Sequence, residues 1–393
     1  MNRLPRIVRW LPELSLGFVI SACGAQTAAP VPTAVPIPRA TALPTVMPAP
    51  TNVPVATVVP LPTSAPEPTA QPAPEPELYY IDQGTVFAQA IDGTPRKVAS
   101  LSGTVLDATL VGDTLLVLRD VGLERVHLPD GAASTVQTFT PVAGPGSSLL
   151  LTRDQTIFYA AHVDDAQAVY GKTLIGSYDV ANGTATKLLT ADGSARPLGL
   201  TPDGAGLYLL PVGGDPSFGQ VQVIDVHTGA VRAELAVEGE GMPVVSPDGR
   251  RLVVPARRFS ASDPNAEPAS LVYLYDLTQQ PVTRQEIVPP QAPSAANSLF
   301  WSPDSRAFYF ALGAGNIYEL TTSYGLWVYD IASSKASKLA DVDVLNTFFG
   351  GQTHSDVAIL RRTMTQESQL IDLATGAATP FAIAPSALIA GWR

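Results

Sequence analysis

Short apolar runs separated by turn signals fill the chain from residue 78 to its end. Their period is that of strands, not helices. The stretch Gly241–Val288 shows the pattern most fully. Met242–Val245 runs into the turn Ser246-Pro247-Asp248-Gly249, and Leu252–Ala256 runs back. Leu271–Tyr275 is a third run, a turn follows Asp276, and Thr283–Val288 is a fourth. In Ser-Pro-Asp-Gly, proline presets φ at the second turn position and glycine accepts the left-handed conformation at the fourth. The signal recurs as Thr201-Pro-Asp-Gly204 and Ser302-Pro-Asp-Ser305, each before an apolar run. A second signal closes the third strand: an apolar alternation, Asp, an aliphatic residue, two others and then usually Gly. It stands at Asp179, Asp225, Asp276, Asp330 and Asp372, with looser versions at Ala90-Ile-Asp-Gly93 and Leu128-Pro-Asp-Gly131.

Four antiparallel strands in about 45 residues make one blade of a β-propeller. Residues 78–393 number 316, which is room for seven blades of about 45 residues. The expected fold is therefore all-β, a seven-bladed propeller. Blades two to seven read as Val105–Phe139, Pro141–Thr190, Arg196–Val237, Gly239–Val288, Ala295–Val342 and Leu345–Ile383. The first blade is split. Tyr79–Ile81, Val86–Ala90 and Arg96–Leu101 supply three strands, and the missing innermost one is expected at Ala387–Trp392, which matches Ser298–Trp301 of blade six. Pairing the two ends removes the exposed edges that an open array would leave.

Composition changes the picture upstream. Fifteen of the 37 prolines lie between Pro30 and Pro76, interleaved with Ala, Thr and Val. Such a sequence loses amide donors and is pushed toward extended conformations. Residues 23–77 are expected to be a disordered Pro/Thr/Ala-rich linker, a stalk of at most ~170 Å if fully polyproline-like. Residues 1–22 read as a secretion signal, with Arg3, Arg6 and Arg9 before the apolar run Leu14–Ile20. The net charge of −11 belongs wholly to the repeats, since residues 1–78 carry four basic and four acidic side chains. An acidic chain without a basic stripe argues against nucleic acid. The single cysteine, Cys23, excludes an intramolecular disulfide.

Two resemblances follow from these residues. The run Ile20-Ser21-Ala22-Cys23-Gly24 resembles the bacterial lipobox, although Ile20 stands where leucine is commoner and Pro12 and Glu13 shorten the apolar run. The resemblance implies lipidation of Cys23 and attachment to the outer face of a bacterial membrane; an ordinary signal cut nearby or an uncleaved anchor is the alternative. The SPDG turns and the Tyr-x-Tyr-Asp or Ile-Asp-Val strands, best in blades four to six, resemble the TolB-like, WD40-like propeller repeat. That resemblance implies the fold and an extracytoplasmic setting, but not TolB's partners.

Candidate chemistry is sparse. The five aspartates each sit in their own blade, so capping of turn amides is expected rather than a shared metal. His127, His162, His227 and His354 share no metal-ligand spacing. No Gly-x-Ser-x-Gly elbow occurs. No cofactor and no enzyme activity are expected. The links between strands two and three are short in blades one, two and seven and long in blades three to six (Val163–Lys172, Val212–Gly219, Arg257–Ala269 and Gly313–Ser323). They place a crescent of loops on one face, where function usually resides. Its candidate binding residues are Tyr170, Phe218, Phe259, Tyr318 and Tyr324 as exposed aromatics, with Arg257 and Arg258 as local positive charge. The expected role is a monomeric, membrane-anchored scaffold that binds a protein. The alternatives are a receptor for a glycan or small molecule at the channel mouth and, third, a propeller enzyme such as a lactonase.

Overall fold

The computed structural model describes residues 76–141, 147–151, 156–163, 171–212, 218–258, 269–291, 295–315, 320–345, 347–349, 357–362, 367–384 and 386–393. The expected signal, Cys23 and the expected linker up to residue 75 lie outside the described residues. Among the described residues there is no helix; the fold is all-β.

Seven four-stranded antiparallel sheets follow one another. Blade one holds β1 (Glu77–Asp82), β2 (Thr85–Ala90) and β3 (Arg96–Ser100). Blade two is β4 (Val105–Val111), β5 (Thr114–Arg119), β6 (Gly122–His127) and β7 (Ala132–Thr138). Blade three is β8 (Ser148–Leu151), β9 (Thr156–Val163), β10 (Lys172–Asp179) and β11 (Thr184–Asp192). Blade four is β12 (Ser194–Leu200), β13 (Gly206–Val212), β14 (Phe218–Asp225) and β15 (Val231–Gly239). Blade five is β16 (Val244–Val245), β17 (Arg251–Arg258), β18 (Ala269–Asp276) and β19 (Thr283–Ile287). Blade six is β20 (Ala295–Trp301), β21 (Ala307–Gly315), β22 (Leu320–Asp330) and β23 (Lys335–Ala340). Blade seven is β24 (Thr347–Phe349), β25 (Val357–Arg362), β26 (Ser368–Asp372) and β27 (Ala378–Pro380). The last strand, β28 (Leu388–Trp392), completes blade one in the order β28–β1–β2–β3. The seven blades and the closure by the tail are those the repeat spacing predicts.

The closing pair is antiparallel, with Leu78 opposite Trp392, Tyr79 opposite Gly391 and Ile81 opposite Leu388. Glu77 and Arg393 exchange both backbone bonds at 2.9 Å. Trp392 is only 7 % exposed. The side chain of Arg393 reaches Asp113 in the first hairpin of blade two. The seam is therefore held by ladder bonds, an anchored indole and an ion pair.

Apolar packing falls between blades rather than within them. Tyr208, Leu210 and Val223 of blade four share a core with Leu252, Val254 and Tyr273 of blade five. Val253 and Leu274, on the opposite face of blade five, pack with Trp301, Phe308 and Phe310 of blade six. The same division recurs around the ring, and Leu78, Tyr80 and Trp392 of blade one meet Ile359, Leu370 and Phe381 of blade seven. Strand alternation explains this. Successive side chains point to opposite faces of a sheet, so a strand buried on both faces contributes to two cores. Val117, Ile224, Val253 and Leu360 sit in the middle strands and are fully buried.

Polar bonds reinforce the same seams. The Tyr275 hydroxyl of blade five donates to the Glu238 carbonyl of blade four at 3.1 Å and accepts the Glu238 amide at 2.9 Å. Trp301 Nε1 of blade six donates to the Val244 carbonyl of blade five at 2.9 Å. The Thr-Gly turn is also an inter-blade device. A Cβ on Gly376, whose φ is +74°, would lie 2.1 Å from the Leu339 carbonyl oxygen of blade six. Glycine there allows both the left-handed turn and the close approach of the neighbouring backbone.

Two expectations are corrected. Met242–Val245 was expected to be a strand, but the ladder covers only Val244–Val245 and Met242 is 46 % exposed. Pro243 has no amide to donate, and Glu240 N instead donates to the Pro255 carbonyl at 3.0 Å. In blade six the hairpin continues to Gly315 opposite Leu320, so its link is shorter than the apolar pattern suggests. Blade seven's link, residues 363–367, is at least as long. The longer links thus occupy blades three to seven.

Trp392→Ala removes an anchored side chain from the seam. It is expected to cost about 3–5 kcal/mol and to broaden the thermal transition. Calorimetry of the full-length chain checks this, and an unchanged transition would show that the tail does not close the ring. Gly376→Ala is expected to destabilise by more than the ~1 kcal/mol that a left-handed φ alone costs, because the Leu339 carbonyl must also move.

Candidate functional site

The two ends of the propeller differ in kind. Turns between strands one and two, and between three and four, form one face. There the aspartates cap backbone amides as the sequence predicts. Asp225 accepts from the amides of His227 and Thr228, both at 2.8 Å. Asp372 accepts from Ala374 at 2.9 Å and Thr375 at 2.7 Å. Asp179 takes the Asn182 amide, Asp276 that of Thr278 and Asp330 that of Ser333. The turn amides hold the carboxyls of Asp225 and Asp372 below the usual range, with Thr228 the largest cause for the first and Thr375 for the second. The SPDG turns close as predicted, with Gly249 N donating to the Ser246 carbonyl at 2.8 Å. Ser305 replaces the glycine at φ 61°. Its hydroxyl accepts the Asp248 amide of the preceding blade at 3.0 Å.

The other face carries the links between strands two and three. Tyr170, Phe259 and Tyr318 lie outside the described residues, as does His354. Phe218 opens β14, where its backbone pairs with Gly239. Tyr324 was expected on an exposed loop but lies within β22, half-buried against the core between blades five and six. The extension of the blade-six hairpin explains the difference. Arg257 and Arg258, expected to add local positive charge, end β17, and both are ion-paired. Arg257 is paired with Glu240, and Arg258 with Glu286 at 2.9 Å. Arg284 adds a pair to Glu238 at 2.6 Å and stacks over Tyr273, 4.2 Å from the ring centroid.

A third feature lies on the innermost strands. In blades three, four and six the capping aspartate pairs with Thr156, Gly206 and Ala307. Four residues further along the same strands are Ala160, Leu210 and Ala311. Opposite these, on the innermost strands, stand Ser148, Arg196 and Asn297. Leu118 has the equivalent place in blade two, and it faces Asp107. Four polar side chains thus share one level of the ring. The sequence reading missed this level because bulges beside Asp107, Arg196 and Asn297 break the simple alternation. Counting back from the turns would have found part of it: Arg196 and Asn297 each stand five residues before the residue that opens the turn, Thr201 or Ser302.

Asp107 accepts two amides, Ala108 at 2.8 Å and Leu149, on the innermost strand of blade three, at 2.7 Å. Burial pushes its carboxyl up to about 6; the two amides and the charge of Arg196 act in the opposite direction. Blades two and four are not neighbours, so the charge of Arg196 acts beyond the adjoining blade. The Ser148 hydroxyl and Asn297 Oδ1 are buried without a hydrogen-bond partner among the described residues. Elsewhere His162 Nδ1 lies 3.4 Å from both Thr173 Oγ1 and Ser194 Oγ. Among the described residues no group of three His, Cys, Asp or Glu side chains is placed to hold a metal ion.

These features define the class: a seven-bladed β-propeller with one face of capped turns and one of longer links. No protein-family model and no curated protein sequence matches the chain. Solved structures do resemble it. A functionally unknown protein from Desulfotomaculum acetoxidans is 12% identical at a TM-score of 0.51, over 80% of this chain and 99% of that one. A protein proposed to be a 6-phosphogluconolactonase, from Bacteroides uniformis, is 10% identical at 0.50, over 80% and 98%. TolB from Acinetobacter baumannii is 13% identical at 0.42, over 81% and 66%. At these identities the likeness shows the fold alone.

The pH dependence of stability has two parts of opposite sign. Asp225 and Asp372 have folded-state pKa values below the ordinary 3.8. Their contribution is present above that value and is lost as pH falls through the folded-state pKa. Asp107 is raised, so its ionisation opposes folding and stability is lost as pH rises from 3.8 to about 6. Urea midpoints measured from pH 3 to pH 7 are expected to pass through a maximum, and Asp372→Asn is expected to weaken the acid limb. A midpoint flat from pH 4 to 6.5 would refute the burial of the Asp107 carboxylate.

Proposed function

We propose that the protein is a membrane-anchored, extracytoplasmic propeller acting as a non-catalytic protein-interaction scaffold. In this reading residues 1–22 are a lipoprotein signal, Cys23 carries the lipid and residues 23–77 are the spacer. The partner docks on the face that carries the links between strands two and three.

One observation carries the reading. Glu77 begins β1 beside Arg393 at the end of β28. In the other blades the corresponding ends of strands one and two are joined by the first turn. The chain therefore enters the ring on the capped-turn face. A tether attached there leaves the longer links pointing away from the membrane, toward whatever the protein meets. Met242 and Val288 are exposed in the inter-blade links on that outward face.

Placement of a photo-crosslinking residue tests the docking face. Probes at Met242 and Val288 are expected to form protein adducts in intact cells, whereas probes at Ile91 and Val231, exposed on the capped-turn face, are expected to form few. Equal adducts from both faces would defeat the assignment. Cys23→Ser is expected to move the protein from the membrane to the soluble fraction and to abolish labelling by radioactive palmitate. A variant that is still labelled would overturn the anchor.

A further inference from the structure

We propose that the polar level formed by Asp107, Ser148, Arg196 and Asn297 is a binding site in the central channel for a small carboxylate that also bears a hydroxyl or amino donor. This goes beyond the scaffold reading and stands independently of it.

The geometry comes from the ring. In a propeller the first strand of each blade lines the central channel. The four residues are register-equivalent on four such strands, those of blades two, three, four and six. In blade five Gly241, five residues before Ser246, contributes no side chain at the corresponding place. The level is therefore polar on four blades and open at a fifth. On blade one the equivalent position is Leu388, opposite Ile81.

Asp107 reaches across to the next blade. It accepts the amide of Leu149, a residue of the innermost strand of the next blade. That amide is directed away from β9, toward the channel edge. The carboxylate is thus already occupied by backbone donors and acts as a staple between blades two and three. It leaves Arg196 without a direct ion pair or hydrogen bond among the described residues, although their charges interact. Arg196 is half-buried, so water and small solutes reach it.

The other two groups supply the second observation. Ser148 is 6 % exposed and its hydroxyl has no partner among the described residues. Asn297 Oδ1 is buried in the same condition. A buried polar group without a partner costs about 1–3 kcal/mol, and proteins usually tolerate it where something else fills the place. The vacant chemistry specifies the occupant. A guanidinium presents parallel donors that fit a carboxylate. A serine hydroxyl can donate to the same group. The amide oxygen of Asn297 needs a donor in return. A simple carboxylate satisfies the first two groups but not the third. A hydroxy or amino carboxylate carries both kinds of group, acceptors for Arg196 and Ser148 and a donor for Asn297.

The test is calorimetric titration of the full-length protein with lactate, alanine and acetate, together with thermal-shift measurements. Lactate or alanine is expected to bind with Kd of about 1 mM or tighter and to raise the melting temperature by mass action. Acetate is expected to bind about tenfold more weakly, since it lacks the donor. Arg196→Met is expected to abolish binding. Asn297→Leu removes the donor preference and brings the three probes to similar affinity. The melting curve of each variant reports separately whether it folds. If Arg196→Met fails to fold, Asn297→Leu alone decides the outcome. The proposal is overturned if none of the probes binds at about 50 mM, if acetate binds as well as lactate and alanine, if a folded Arg196→Met binds unchanged, or if Asn297→Leu keeps the preference. Failure of this test leaves the outward-face scaffold untouched, because that reading rests on adducts at Met242 and Val288.

Discussion

No blade of this propeller owns a core. Each apolar cluster draws on two neighbouring sheets, so every blade is half of two interiors. The hydrophobic effect, which scales with area removed from water, therefore rewards stacking and not single hairpins. With one cysteine in the chain, there is no disulfide to substitute for a missing neighbour. The last interface, between blades seven and one, completes the burial of both. That dependence explains why the tail returns to blade one. It also explains why so many polar bonds, such as those of Tyr275 and Trp301, cross from one blade to the next.

The same constraint sets where variation is tolerated. Middle strands are buried on both faces and read as nearly continuous apolar runs. Turns on one face are short and capped, because Gly376 and its counterparts approach the neighbouring backbone too closely for a side chain. The opposite face is freer, and it carries the longer links of blades three to seven. Charges cluster beside it in pairs: Arg257 with Glu240, and Arg258 and Arg284 with Glu286. Such pairs are worth little individually. Arg284 also pairs with Glu238, and that pair joins the outer strand of blade four to blade five.

Most of the scaffold was legible in the sequence because its signals are local and repeated. The SPDG turns and the capping aspartates mark strand ends at regular spacing, and Trp392 could be matched to Trp301 by its context. The functional surfaces were less legible for physical reasons. Tyr324 reads as a loop aromatic, yet β22 extends through it, because glycines at Gly313 and Gly315 permit a longer hairpin. Arg257 and Arg258 read as local positive charge, and their partners Glu240 and Glu286 lie in a link and in the fourth strand, brought close only by the fold. The level of Asp107, Ser148, Arg196 and Asn297 spans four blades. No local window contains two of its members, and bulges shift the register between them.

The joint between β1 and β28 has a mechanical consequence. Any load carried by the preceding chain enters the ring at Glu77, directly beside Arg393. The sheet that receives the pull is the one sheet whose strands are not consecutive along the chain. Its hold on β28 is entirely non-covalent. A pull applied at Glu77 would thus fall on the clasp itself, so blade one is where the ring would first come undone.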